Sequence, residues 1–286
     1  MRLLGASLLI AAVACSSEAA SLRSPVQPFT PTAFSVEVHG RGRPVILIPG
    51  LGCPGTVWND ITERLAGYQT HTLTLAGFAG RPRIDEPLSA RTRDELARYI
   101  RAHGLDRPVV IGHSMGGYIA YWLAAAEPEL VGPTIVVDAG PAFGPDDPAA
   151  VATAAAQARD VWSRASDDEF ARQVQDVFSS MSVRPARLRS TIAAVARSDR
   201  RAIGDAVYEM LTHDLRPQLR HIRAPVLVVL ADGGLQDQYR SQARAVPDHQ
   251  VVVLPRTGHF VFVDDPEAFV TTVERFLASR ATVAAR

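Results

Sequence analysis

Short, unbroken runs of apolar, largely β-branched residues recur along the chain at Phe34–Val38, Val45–Ile48, His71–Leu75, Val109–Ile111, Ile135–Val137, Val226–Leu230 and Val251–Leu254. Runs of this length without polar alternation predict strands buried on both faces. Between them, apolar residues at helical spacing cover Val57–Ala66, Ala90–His103, Met115–Ala126 and Pro266–Ser279. Strand and helix therefore alternate, which predicts a mostly parallel sheet with helices on both sides. The alternation stops between Pro141 and His221, where only helical patterns occur, at Pro148–Ser163, Asp167–Ser180, Pro185–Arg197 and Arg200–Leu215. Residues 141–221 thus read as a helical cap inserted into one core made of residues 34–140 and 222–286. Ligands of open α/β sheets bind beyond the carboxyl ends of the strands, so such a cap is placed to roof that crevice and to govern substrate choice.

The first twenty residues change the picture at one end. Met1-Arg2 followed by the apolar stretch Leu3–Ala14 is too short to span a bilayer and has the build of a secretory signal peptide. Ala12-Val13-Ala14 before Cys15 fits a small-residue cleavage site and also resembles a bacterial lipoprotein box with Cys15 lipidated. Two products stay open: a soluble periplasmic or secreted protein, or one attached to a membrane through a lipid on Cys15. Residues 21–33, with prolines among serines and threonines, read as an extended tether to a fold starting near Phe34. Once Cys15 is removed or lipidated, Cys53 is the remaining thiol, and no intramolecular disulfide can form.

Composition narrows the partners. The 286 residues allow one large α/β domain with an insertion. Basic and acidic residues balance at 30 each without a long charge run, which argues against a nucleic-acid stripe or a polybasic membrane patch and points to a small-molecule substrate. The histidines lack metal-ligand spacing, the two cysteines are not paired as zinc ligands, and Gly50-Leu51-Gly52 lacks the rest of a dinucleotide fingerprint. Neither a metal nor a cofactor is expected.

The chemistry is concentrated in Gly112-His113-Ser114-Met115-Gly116-Gly117. A serine hydroxyl is a poor nucleophile unless a sharp strand-to-helix turn lifts it clear of its neighbours, and such a turn leaves no room for side chains two residues either side. Gly112 and Gly116 meet that demand, with a strand-like run before them and a helical one after. Ser114 needs a base, and His259 is the best placed, in Thr257-Gly258-His259-Phe260 between the last strand and the closing helix. His113 adjoins the nucleophile and is expected to point away from it. The remaining histidines lack a catalytic context.

Together, Ile48-Pro49-Gly50-Leu51-Gly52 with Val57-Trp58, the Ser114 motif, and Thr257–Phe260 with Asp264-Asp265-Pro266-Glu267 resemble the α/β-hydrolase fold superfamily, in its capped serine esterase and lipase-like form. The resemblance spans roughly residues 34–278. It implies Ser114 as nucleophile, His259 as the base that takes and returns its proton, and the backbone N–H groups of Leu51 and Met115 as an oxyanion hole. The chain departs from the pattern at the acid. In most of the family this follows the penultimate strand at its third or fourth residue, where this chain has Gly233 and Gly234. Asp232 comes early and Asp237 late. Some members, among them one subgroup of haloalkane dehalogenases, carry the acid after the strand that follows the elbow helix, and there the chain reads Val136-Val137-Asp138-Ala139-Gly140. Asp138 is the first choice, with Asp232 and Asp237 as alternatives.

The expected function is hydrolysis of a carboxylic ester, lactone or thioester through an acyl-enzyme. A serine nucleophile argues against epoxide or haloalkane hydrolysis. Amide or C–C bond hydrolysis on the same residues, and a non-catalytic ligand-binding homologue, are the alternatives.

Overall fold

The computed structural model describes residues 29–144 and 147–284, and the expected signal peptide and lipid-bearing Cys15 lie outside them. Seven strands form one sheet: β1 (Phe34–Gly40), β2 (Arg43–Ile48), β3 (Tyr68–Leu75), β4 (Val109–His113), β5 (Thr134–Val137), β6 (Val226–Leu230) and β7 (His249–Val253). Their order is β1-β3-β2-β4-β5-β6-β7. β1 runs antiparallel to β3 and every other pairing is parallel. This is the α/β-hydrolase fold.

β4, β5 and β6 are buried along their whole length. With Val45–Ile48 of β2, also fully buried, these match the expected strands covered on both faces. β1 is an edge strand whose last four residues face solvent, and one pairing edge is all that an antiparallel end strand needs.

Two elements differ from expectation before the sheet is complete. The helix read over 57–66 is a 3₁₀ turn, Gly55–Trp58, followed by the four-residue α1 (Asn59–Thr62). Gly67, at φ 87°, turns the chain into β3 and cuts it short. The tether's last residues also dock, correcting the boundary at residue 34. Glu95 of α2 (Leu88–Ala102) is buried, and a buried carboxylate needs donors. The Thr32 N–H, Thr32 hydroxyl and Ala33 N–H supply them at 2.7–2.8 Å.

α3 (Met115–Ala126) follows β4 and is buried almost throughout. Between β5 and β6 the described residues hold no strand. They form α4 (Pro148–Arg164), α5 (Asp167–Ser180), α6 (Arg189–Val195) and α7 (Arg200–Thr212), with 3₁₀ turns at Pro185–Leu188 and Arg216–His221. A capping box between Ser166 and Glu169 starts α5, and the Asp199 side chain caps α7. The chain closes with α8 (Gln236–Ala243), α9 (Val261–Asp264) and α10 (Pro266–Ala284). No described helix is long and apolar enough to cross a membrane.

Hydrogen bonds fasten the helical segment to the core at several places. Glu209 of α7 accepts from the N–H groups of Ser89 and Ala90, which start α2. The Ser198 hydroxyl accepts from Ala79 N–H and lies 3.4 Å from the Gly52 carbonyl. The buried Asp264 carboxylate accepts from the Ser182 hydroxyl and from the N–H groups of Val183, Arg184 and Gly258.

Candidate active site

Ser114 sits between β4 and α3 at φ 52°, ψ −119°, backbone that a non-glycine residue adopts only under constraint, at about 1–3 kcal/mol. Its N–H donates to the Val137 carbonyl at 2.9 Å, and its own carbonyl accepts from Tyr118 N–H at 3.0 Å to open the helix ladder. A Cβ on Gly112 would lie 2.1 Å from the Gly116 carbonyl oxygen, and one on Gly116 2.2 Å from that of Ile48. The two glycines flanking the serine are thus steric requirements of the turn.

His259 lies in the loop between β7 and α9. Its Nδ1–H donates to Asp138 Oδ2 at 2.6 Å. That proton assignment leaves Nε2 as the free acceptor, the nitrogen a serine proton needs. Asp138 follows β5 at φ 44°, with its N–H donating to the Val229 carbonyl at 2.8 Å. Its second oxygen, Oδ1, accepts from Ala231 N–H at 2.9 Å. The carboxylate is nearly buried and both its oxygens are engaged, as a charge in that position requires.

The other two aspartates stand apart from the imidazole. Asp232 is exposed, and its Oδ2 accepts from Arg256 N–H at 3.0 Å, bracing the loop that leads to His259. Asp237 is exposed in the first turn of α8. Of the three candidate acids, the structure brings Asp138 alone to His259.

His113 plays a part that sequence reasoning missed. Its ring is buried 4.5 Å, centre to centre, from that of His259, and its Nε2–H donates to the His259 carbonyl at 3.0 Å. Burial first, and the neighbouring His259 second, hold its pKa well below the ordinary imidazole range. His113 therefore supports the His259 loop as a neutral wedge. The available signal was its position: the last residue of a buried strand cannot point into water.

Met115 is the first residue of α3, so its N–H has no acceptor within the helix and points where an anion is favoured. Leu51 lines the same cavity as Ser114, in the loop after β2. A Cβ on Gly50 would meet His113 Nδ1 at 2.9 Å, so the approach of that loop to the elbow depends on glycine. Cys53 also lines the cavity, but burial pushes its thiol pKa far up and keeps it protonated.

The cavity, about 510 Å³, contains Ser114, His259 and Asp138 in its wall together with Trp162, Phe170 and Val174 of the helical segment. No group of three or more His, Cys, Asp or Glu side chains among the described residues could hold a metal ion.

A strained serine at a strand-to-helix turn, an imidazole oriented by a buried carboxylate and a roofed cavity over both define a hydrolase of the α/β class. The alpha/beta hydrolase family model matches residues 45–272, and the chain belongs to that family. Its relatives include a pimeloyl-[acyl-carrier protein] methyl ester esterase of Aliivibrio salmonicida, 25% identical over 268 residues that cover 86% of this chain and 96% of the relative. Among solved structures, an esterase from Thermogutta terrifontis superposes with a TM-score of 0.75 at 23% identity, covering 86% of this chain and 93% of that one. An enol-lactonase from Burkholderia xenovorans superposes with a TM-score of 0.74 at 19% identity, over 86% and 96% of the two chains.

Proposed function

We propose that the protein is a serine hydrolase that cleaves a carboxylic ester, lactone or thioester of a small molecule through an acyl-enzyme. The observation that carries this reading is the 2.6 Å bond from His259 Nδ1 to Asp138 in the wall of the cavity that holds Ser114. The esterase activity in the name of the Aliivibrio salmonicida relative supports ester chemistry for this chain as well.

In this mechanism the Ser114 hydroxyl attacks the substrate carbonyl carbon while His259 Nε2 takes its proton. Asp138 holds the imidazole in the tautomer that can accept and stabilises the imidazolium that forms. The N–H groups of Leu51 and Met115 stabilise the oxyanion, each worth about 3–4 kcal/mol of the barrier. Collapse of the tetrahedral intermediate breaks the bond to the alcohol or thiol, which leaves with the proton from His259. Water, deprotonated by the same histidine, then attacks the acyl-enzyme and releases the acid.

A fluorophosphonate probe tests the reading. Wild type is expected to be labelled and Ser114→Ala not. Hydrolysis of p-nitrophenyl esters is expected to vanish in His259→Ala. Equal, weak labelling of wild type and Ser114→Ala would sink the proposal.

A further inference from the structure

The proposed chemistry leaves open what the substrate looks like, and the cavity wall speaks to that. Among the described residues, no arginine or lysine lines it. Its carboxylates are Asp138, bonded to His259 and Ala231 N–H, and Asp232, bonded to Arg256 N–H. Apart from Ser180, whose hydroxyl donates to the Val177 carbonyl, the roof is lined by apolar and aromatic side chains, among them Trp162 from α4, Phe170 and Val174 from α5, and Ile203 and Val207 from α7. An anionic group entering this space would lose its hydration and find no cation, a penalty of several kcal/mol.

The space is also walled in without a ligand. The bonds of Glu209 to the start of α2, of Ser198 to Ala79 and of Asp264 to Ser182 tie the helical segment to the core on several sides. Gly52 packs so closely that a Cβ there would lie 2.8 Å from Val195 of α6. The wall is open elsewhere, at Gly233, Gly234 and Leu235. A Cβ on either glycine would meet nothing within 4 Å, and Leu235, which lines the cavity, is 51% exposed.

We infer that the substrate is a neutral ester or thioester with an uncharged, extended apolar half that fills the roofed cavity, while its other half leaves through the mouth at residues 233–235. The inference rests on the proposed acyl-enzyme chemistry and deepens it. Binding energy from the apolar half, remote from the reacting bond, is what such a site applies to catalysis.

The test is a series of p-nitrophenyl esters from acetate through butyrate, hexanoate and octanoate to laurate, with matched acyl chains ending in a carboxylate. The second-order constant kcat/KM is expected to climb by roughly fourfold per added methylene, the factor that burying one CH₂ gives, up to a length at which the cavity is full. The carboxylate-ended chain is expected to react on the order of a hundredfold more slowly than the neutral chain of the same length. Val174→Trp and Val207→Phe, both verified as folded by thermal unfolding, are expected to move the optimum to shorter chains. A profile flat within threefold, a steady fall from acetate, or equal rates for charged and neutral chains overturns the inference. If fluorophosphonate labels Ser114 in those cases, the serine hydrolase reading survives on its own. If Ser114 is not labelled and no ester turns over, it is the underlying reading that has failed.

Discussion

Replacing Asp138 by asparagine changes one atom in a group whose surroundings dictate how the amide must lie. Oδ1 accepts from Ala231 N–H at 2.9 Å, and that buried donor keeps an oxygen opposite it. The new NH₂ then takes the place of Oδ2, 2.6 Å from His259 Nδ1. Two donors cannot face each other, so the imidazole must move its proton to Nε2, where it blocks acceptance from Ser114. In serine proteases the same tautomer reversal lowers kcat by about 10⁴, or about 5 kcal/mol in the barrier. We therefore expect a loss of that order in ester turnover per labelled active site, with the melting temperature changed by only a few degrees because shape and the Ala231 bond persist. Asp232→Asn, which touches only the exposed bond to Arg256 N–H, is expected to stay within a few-fold of wild type. A kcat for Asp138→Asn within tenfold of wild type, or an equal fall in Asp232→Asn, would refute the reasoning.

Four further outcomes are expected. Gly116→Ala would push a Cβ to 2.2 Å from the Ile48 carbonyl oxygen and 2.7 Å from that of Pro49, so urea titration should show a loss of about 2–3 kcal/mol, typical of overpacking. Asp264→Ala strands the Ser182 hydroxyl and the Gly258 N–H; at about 1–3 kcal/mol each, a drop in melting temperature should accompany a drop in kcat, and an unchanged melting curve would contradict the fastening described above. His71 is buried, and burial, aided by the nearby charge of His103, lowers its pKa to about 4 from 6.5. The folded state thus prefers the neutral ring: this contribution is complete above pH 6.5 and is lost as pH falls toward 4, by up to roughly 3 kcal/mol, so His71→Gln should flatten the acid limb of stability against pH. For the chain's first residues, an exported product is expected, and Cys15→Ser should move it from membrane to soluble fractions of an expressing bacterium if Cys15 is lipidated, leaving it soluble in both cases if the leader is simply cleaved.

The central strands were legible because their signal is local: β4, β5 and β6 carry short, largely β-branched apolar runs, and burial on both faces demands little else. α8 was not, because its sequence QDQYRSQA buries only Tyr239 and Ala243, too few apolar positions to mark a helical face. The elbow could be read since its glycines are steric necessities of one turn. The acid could only be narrowed to three aspartates. What separates them is long-range: the Ala231 N–H, 93 positions away in sequence, that receives Oδ1 of Asp138. The docking of Thr32 and Ala33 on Glu95 escaped notice for the same reason, since a proline-rich segment carries no sign of the carboxylate awaiting it more than sixty residues on.

The neutral wedge formed by His113 has a consequence for proton traffic. Two imidazoles in contact would ordinarily share a titration, each charge discouraging the other and smearing the proton uptake of the pair. Here one ring is tied through Nε2–H to a backbone carbonyl and kept uncharged by burial. The ring packed against His259 thus gives that loop shape and a hydrogen bond without placing a second charge beside it.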